Sequence, residues 1–555
     1  MDRFLKILSQ NRAAGIVLVV LAGIFAYHNC LPNEMFWDDD DFINNNRYIK
    51  DFHYWQLWFS QNMVAGSYLV SNYWRPLLLA VFALEWSLWQ NWVYGWHAVA
   101  VGVHILAGIA LYFFINRLFG RKYLALCCAL LFVTHPVHNE AVVYVNSMGD
   151  SLATFLVLSS LILYCRFRQS GKPAWRSLSY WASLLVFPLA LLSKETGFVL
   201  CGLLPLTDFL LLSKAKSFRG RLAQTTAAVW PFILAAAAYL VLRGTVLNFS
   251  NSFNFYNENN AFTSHPAIRL MTFFKAMVQY AGFIFFPHQL RVERELPWAT
   301  SPMAWDVAAG GLLVALMLFF AFKYWKTRPV ISFGIAWFFI AIAPMSNVLV
   351  PINAVIYEHF LYMPMIGIVL ITAFLGLETA EKHRMLPTLI KVLAVILVVF
   401  CLINIHRNLD WRTSIGFYEQ LITYRPNDYR VINNLGMEYA NKGIHDKAVA
   451  TYLKAIALDP QNPVAYHNIA GSFRDTGHID QALENFHKAI ELNPNFIFTY
   501  RSLADLYWRM GQFQHCRENL LQVLRMDPND ERTLQALQMV DQRLGLDFTS
   551  PQKFR

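Results

Sequence analysis

Residues 1–46 read MDRFLKILSQNRAAGIVLVVLAGIFAYHNCLPNEMFWDDDDFINNN: Arg3, Lys6 and Arg12, an apolar run to Leu31, then a run of aspartates from Asp38 to Asp41. A basic flank before an apolar run, with no small-residue cleavage site after it, predicts an uncleaved first membrane helix with its amino end in the cytoplasm. Consecutive like charges repel one another, a cost that a solvated or cation-binding loop carries and a packed one does not. The aspartates are therefore expected just outside the membrane, as a solvated loop or as a site.

The rest of the chain is as greasy as this opening. Its 555 residues are 56% apolar and 15% aromatic, with mean hydropathy +0.34, too apolar for an ordinary soluble protein. The net charge of +10 lies entirely in residues 1–406, because 407–555 hold 17 basic and 17 acidic residues. That distribution fits positively charged cytoplasmic loops and not a nucleic-acid surface. Of seven cysteines, six lie in or beside apolar runs and Cys516 occupies a small-residue packing position, so neither a disulfide framework nor a CxxC metal pattern is visible.

Further runs near the length needed to cross about 30 Å of hydrocarbon occur at 95–116, 122–134, 141–165, 178–192, 196–213, 224–243, 268–287, 306–325, 330–344, 360–377 and 387–405. Basic clusters at 117–122, 166–176, 214–221, 323–328 and 382–384 belong in the cytoplasm. The three runs between 221 and 323 break that parity. The weakest is 268–287, interrupted by Arg269, Lys275 and Gln279, and it is expected to be re-entrant or to lie on the outer side. About eleven crossings remain, and the carboxyl-terminal region emerges outside.

This topology gathers polar clusters on one side: the loop 32–94, the turns His135–Glu140 and Lys194–Glu195, the loop 244–305 and the segment 345–359. The first loop carries Trp55, Trp58, Tyr73, Trp74, Trp86, Trp89 and Trp92, as expected of helices lying in the headgroup zone of the membrane lipid. His135 and His138 have only Glu140 nearby as a third ligand, so capping, substrate hydrogen bonding or phosphate contact fits them better than metal. Asp150 is expected about three turns into the next helix, facing either a pocket or a polar partner. Arg75, Lys194 and Arg243, with Glu140, Glu195, Glu358 and His359, place cations and carboxylates around one outer cavity. That mixture suits a ligand with a phosphate on a lipid tail and a polar head.

Pro426, Pro460, Pro494 and Pro528 recur every 34 residues, and Gly443, Gly477 and Gly511 share the period. This is the signature of tetratricopeptide repeats, with units at 429–462, 463–496 and 497–530, a half-unit from Trp411 to Pro426 and a capping helix at 531–546. The predicted protein is thus all-α: a polytopic helical bundle over 1–406 and a short α-solenoid over 407–555. A groove of this kind suits a protein or peptide partner.

The order of these motifs resembles the transmembrane and tetratricopeptide repeat-containing protein O-mannosyltransferases and their bacterial relatives, within the GT-C class of lipid-linked-sugar glycosyltransferases. The likeness rests on Asp38-Asp39 followed by Ile43 and Asn46, Trp74 to Leu77, His97 and His104, His135 to Ala141, Lys194-Glu195, Glu358 with Leu361, Tyr362 and Pro364, and the repeats. Two features depart from it: the family has two acidic residues where this chain has four, and an arginine where this chain has His359. The short array favours a bacterial member.

The resemblance implies transfer of mannose or a similar hexose from a polyprenyl-phosphate donor to a hydroxyl, with inversion and without a cofactor. An attacking hydroxyl needs a carboxylate to take its proton, with Asp39 first in order, then Asp38 and Asp40. Arg75, Lys194 and Arg243, aided by His135 and His138, would hold the leaving phosphate. Glu140, Glu195, Glu358, His359 and Asp150 would orient those cations or sugar hydroxyls. The repeats would present a protein acceptor on the periplasmic side of a bacterial inner membrane, or in the lumen of the endoplasmic reticulum in a eukaryote. Competing readings are a glycan or lipid acceptor, an oligosaccharide donor, a divalent metal held by the aspartates, and a non-enzymatic membrane scaffold.

Overall fold

The structure is a computed structural model, described for residues 12–249, 260–288, 290–352, 354–528 and 530–546; the basic residues Arg3 and Lys6 lie outside these. Every regular element among the described residues is helical. The chain divides into two compact units, Met1–Arg412 and Thr413–Arg555.

Within the first unit, seven helices among the described residues are long and apolar enough to cross a membrane. An eighth arises if the bent pair Lys122–Thr134 and Pro136–Val143 is one span. The segments Leu178–Ser193 and Pro329–Met345 are apolar but shorter, and Met365–Lys382 ends in charge, at Glu378, Glu381 and Lys382. By length and composition the bundle therefore reaches seven or eight spans, short of the eleven expected.

Two local expectations are corrected, the single helix over 141–165 and the place of Asp150 in it. The run 141–165 is not one helix: Asn139–Val143 ends at Tyr144, a short turn follows, and Met148–Ser170 begins afresh. Asp150 consequently sits in the first turn of its helix, not three turns in. The region 268–287 forms a continuous helix, Pro266–Phe285, which is not among the helices long and apolar enough to cross a membrane.

The first loop builds a core of its own. Phe42, Ile43, Tyr48, Trp58, Met63 and Val64 pack with Leu78, Phe82 and Trp96 from the two helices that follow. Of its tryptophans, Trp58 and Trp74 are buried, whereas Trp55 and Trp92 are more than half exposed. The loop is long enough to bury apolar surface against the bundle, so only part of its aromatic content is left for an interface. Elsewhere Pro329–Ile342 and Met365–Lys382 touch at Gly334 and Gly367: a Cβ on Gly367 would stand 2.2 Å from the Gly334 carbonyl oxygen. Small residues at a helix crossing let backbones approach this closely.

The second unit is the repeat array. Helix pairs Tyr429–Asn441 and His445–Leu458, Pro463–Asp475 and Ile479–Leu492, and Ile497–Arg509 and Phe513–Met526 follow one another, preceded by Ser414–Tyr424 and closed by Glu531–Leu544. Gly443, Gly477 and Gly511 turn the chain inside each pair at φ 76, 82 and 73°, a left-handed conformation that glycine adopts without steric cost. Ala448, Ala455, Ala470, Ala482 and Ala489 are fully buried where the helices meet, with Tyr452 and Phe486 filling the space between them. Cys516 is buried at the corresponding place in the third pair.

Candidate functional site

The aspartate run is not uniform. Asp39 is 3% exposed, while its neighbours Asp38, Asp40 and Asp41 are half-buried. The preceding Trp37 has φ 63°, a strained conformation for a bulky residue. It is held by a cluster of near-parallel rings: Trp37 lies 5.3 Å from Tyr144 and 6.4 Å from Trp411, and Tyr144 lies 5.3 Å from Trp411. The turn is pinned on its far side by Asn46, fully buried, whose Nδ2 donates to the carbonyls of Met63 at 2.9 Å and Phe42 at 3.2 Å. Its Oδ1 accepts from the Tyr48 amide at 3.1 Å, so Ile43 and Asn46 act on the site by shaping the loop.

Asp39 Oδ1 accepts the backbone N–H of Asn146 at 2.9 Å. Burial pushes this carboxyl well above its ordinary range; the Asn146 N–H works against that, and the charges of Asp38 and Asp40 add to it. A carboxylate so placed is a stronger base than a solvated one.

From Asn146 the chain runs to Asp150, whose Oδ2 lies 2.7 Å from Lys194 Nζ; the side chains are 7% and 10% exposed. The adjacent Glu195 faces elsewhere: its Oε2 lies 2.9 Å from a terminal nitrogen of Arg75, whose Nε also donates to it at 3.0 Å. Arg75 in turn sits over the Tyr73 ring, 4.6 Å from its centroid. Glu140 accepts from His359 twice, from Nδ1 at 2.8 Å and from the backbone N–H at 3.2 Å. Glu358 pairs with Arg407 at 2.9 Å and accepts the backbone N–H of Arg291. A narrow cleft brings Asp150, Thr154, Thr196, His359 and Met363 together.

The structure thus brings Asp150 and His359 to one cleft, with Lys194 paired to Asp150, the Arg75–Glu195 pair on the neighbouring residue and Asp39 tied in through Asn146. It does not bring Arg243 to the cleft: that guanidinium donates to Asn72 O and Leu247 O, both at 2.5 Å, and so ties the first loop to the helix Phe218–Gly244. Nor do His135 and His138 face an opening. Both are buried, with His135 Nε2 on the Ile284 carbonyl at 3.0 Å and His138 Nδ1 on the Phe132 carbonyl at 2.8 Å. His135 Nδ1 also accepts the Val137 N–H at 3.2 Å and so caps its own turn, as backbone groups freed inside an apolar bundle require.

Sequence reasoning missed Arg407, hidden at the end of an apolar helix, and Asn146, which acts through its backbone. Among the described residues, no three His, Cys, Asp or Glu side chains converge as a metal site.

Family models for the tetratricopeptide repeat match residues 436–473, 471–511 and 499–530. The chain is similar to protein O-mannosyl-transferase F38B6.6 of Caenorhabditis elegans, 23% identical over 81% of this chain and 64% of that protein. It is likewise similar to protein O-mannosyl-transferase TMTC4 of Homo sapiens, 24% identical over 79% of this chain and 65% of that protein. Protein O-mannosyl-transferase TMTC3 of Mus musculus is 22% identical over 80% of this chain and 51% of its own length. The chain thus spans less than two thirds of the length of these curated relatives.

Proposed function

From the kinship of this chain with the protein O-mannosyl-transferases over most of its length, we propose that it is a multi-pass membrane glycosyltransferase of the GT-C class. It transfers mannose or a similar hexose from a polyprenyl-phosphate donor to a hydroxyl of a protein acceptor, and the tetratricopeptide groove holds that acceptor. In this reading Leu178–Ser193, Pro329–Met345 and Met365–Lys382 also cross the membrane. Eleven crossings result, and the repeats lie on the outer side with the aspartate loop.

The observation that carries the proposal is the buried carboxyl of Asp39, fixed by the Asn146 amide within a run of ion pairs. Asp39 takes the proton of the acceptor hydroxyl as its oxygen attacks the anomeric carbon from the face opposite the leaving group. The bond between that carbon and the phosphate oxygen breaks, and its electron pair leaves with the polyprenyl phosphate. Inversion follows from this single displacement. Asp38 and Asp40 shape the turn and receive the acceptor. Arg75 and Lys194, each already paired with a carboxylate, are cations whose partners exchange as charge grows on the leaving phosphate. Glu140, His359 and Glu358 hold the opposite wall.

Incubation of purified protein with polyprenyl-phosphate hexoses and a cell extract, followed by mass spectrometry of proteins and glycans, tests the assignment. Hexose gain on a protein is expected. Gain only on a lipid or glycan replaces the acceptor class, and no gain with any donor contradicts the proposal.

A further inference from the structure

Asp39 can act as a base only where the first loop and the turn at Asn146 are held at one fixed separation. Both are anchored from a segment 375 residues beyond Asn33, the end of the helix Leu386–Arg407 and the turn Asn408–Trp411. Asn33 Nδ2 donates to the Asn408 carbonyl at 2.8 Å, and the Glu34 N–H donates to the Arg412 carbonyl at 3.2 Å. The side chain of Asn408 is fully buried and holds both sides: Oδ1 accepts from Asn139 Nδ2 at 2.7 Å, and Nδ2 donates to Asn29 Oδ1 at 2.6 Å. Asn404, one turn earlier, donates to the Thr134 carbonyl at 2.7 Å. A buried amide whose donor and acceptor are both used fixes its neighbours in place. This segment is therefore a rigid mount for the start of the first loop and for the residues that lead to Asn146.

Trp411 ends that mount. It is 2% exposed, and its indole stands against Tyr144 at 5.3 Å and 14°, against Trp37 at 6.4 Å and 25°, and against Phe36 at 6.1 Å. Trp37 lies two residues before Asp39, and Tyr144 two residues before Asn146. One indole thus touches the chain just ahead of each partner of the 2.9 Å bond between the Asn146 N–H and Asp39 Oδ1. Trp37 has φ 63°, a conformation that a bulky residue keeps only where its surroundings impose it. An indole is a wide, stiff spacer with few torsions. A smaller side chain at 411 would let Trp37 relax and carry Asp39 off the amide.

We propose that Trp411 is a positioning residue: its indole sets the spacing between Trp37 and Tyr144 and so holds the Asp39 carboxyl on the Asn146 amide. It acts through these two rings and not on substrate. The consequence for turnover rests on the transfer reading, whereas the consequence for the Asn146 amide does not.

The test compares full-length wild type, Trp411→Phe and Trp411→Leu in detergent by two readouts. The first is hydrogen exchange of the peptide holding residues 144–147, which reports the Asn146 amide. Exchange there should quicken about tenfold or more in Trp411→Leu and less in Trp411→Phe, whose single ring is shorter. The second is transfer from undecaprenyl-phosphate mannose to cell-extract protein. There kcat should fall about tenfold or more in Trp411→Leu and less in Trp411→Phe, with the donor KM unchanged. Wild-type exchange at 144–147 or wild-type kcat in Trp411→Leu overturns the inference, as does a loss carried by the donor KM alone. Quickened exchange spread evenly over the membrane unit marks Trp411 as packing only and overturns it too. Should Trp411→Leu not fold, Trp411→Phe decides: quickened exchange confined to 144–147 and the first loop supports the inference, and wild-type exchange contradicts it. Should wild type transfer no hexose, the transfer reading fails, while the exchange readout still decides whether Trp411 holds Asp39 on its amide.

Discussion

The backbone N–H of Asn146 donates to Asp39 Oδ1 at 2.9 Å across 107 residues of sequence. This bond joins the first loop to the turn that precedes Asp150, and it fixes the one aspartate of the run that is withdrawn from solvent. Because burial raises the Asp39 carboxyl well above its ordinary range, its protonated form is the one the fold favours. Stability from this group is complete below the ordinary aspartate range and is lost as pH rises through the raised value. Thermal unfolding of wild type should therefore fall over that interval, and the same fall should be absent from Asp39→Asn. Transfer should run the other way, rising with pH as the base loses its proton; a wild-type pH profile flat above the ordinary aspartate range would contradict this.

Lys194 and Asp150 form a pair that water barely reaches. Removing one partner strands the other, at a cost of about 3–5 kcal/mol. Lys194→Met and Asp150→Asn should each lower the unfolding temperature in detergent sharply. Their combination should do less damage than Lys194→Met alone, since it leaves no unpaired charge. Additive losses in the double variant would show that the two do not depend on one another.

Gly367 faces the Gly334 carbonyl at a distance no side chain tolerates. Gly367→Ala must push Pro329–Ile342 and Met365–Lys382 apart, at about 1–3 kcal/mol. Gly102, which has nothing near its would-be Cβ, supplies the control: Gly102→Ala should leave the unfolding temperature unchanged or raise it. Equal effects at both positions would count against the close crossing.

Tyr452 is 1% exposed in the first full repeat. Tyr452→Ala should cost about 3–5 kcal/mol, and because repeat arrays are stabilised by neighbours, the loss should appear as proteolysis within 413–546 while the membrane unit stays intact. Protection equal to wild type would contradict the packing described.

The repeats and the membrane character were legible because both are periodic: a 34-residue recurrence of proline and glycine, and apolar runs of spanning length. The partners of the charges were not. Lys194 and Glu195 are adjacent in sequence, yet they pair with Asp150 and Arg75 on separate segments, a divergence set by the backbone turn between two helices. His135 and His138 offered capping, substrate hydrogen bonding or phosphate contact because residue type reports capacity and not surroundings; His135 Nδ1 caps its own turn by accepting the Val137 N–H, and one ring nitrogen of each residue meets a carbonyl inside the bundle. The break at Tyr144 is followed by Asn146, Ser147 and Asp150, a polar patch that reading 141–165 as one apolar run passes over. Arg243, Asn46 and Trp37 proved to hold the first loop in shape, a task for which sequence spacing carries no signal.

The most direct test of the account compares Asp39→Asn with Asp38→Asn and Asp40→Asn in hexose transfer from a polyprenyl-phosphate donor to a protein acceptor, each variant first shown to be folded. Loss of the positioned base predicts a fall of roughly 100-fold or more for Asp39→Asn, with smaller falls for its neighbours. Asp39→Asn transferring hexose at the wild-type rate would contradict the account.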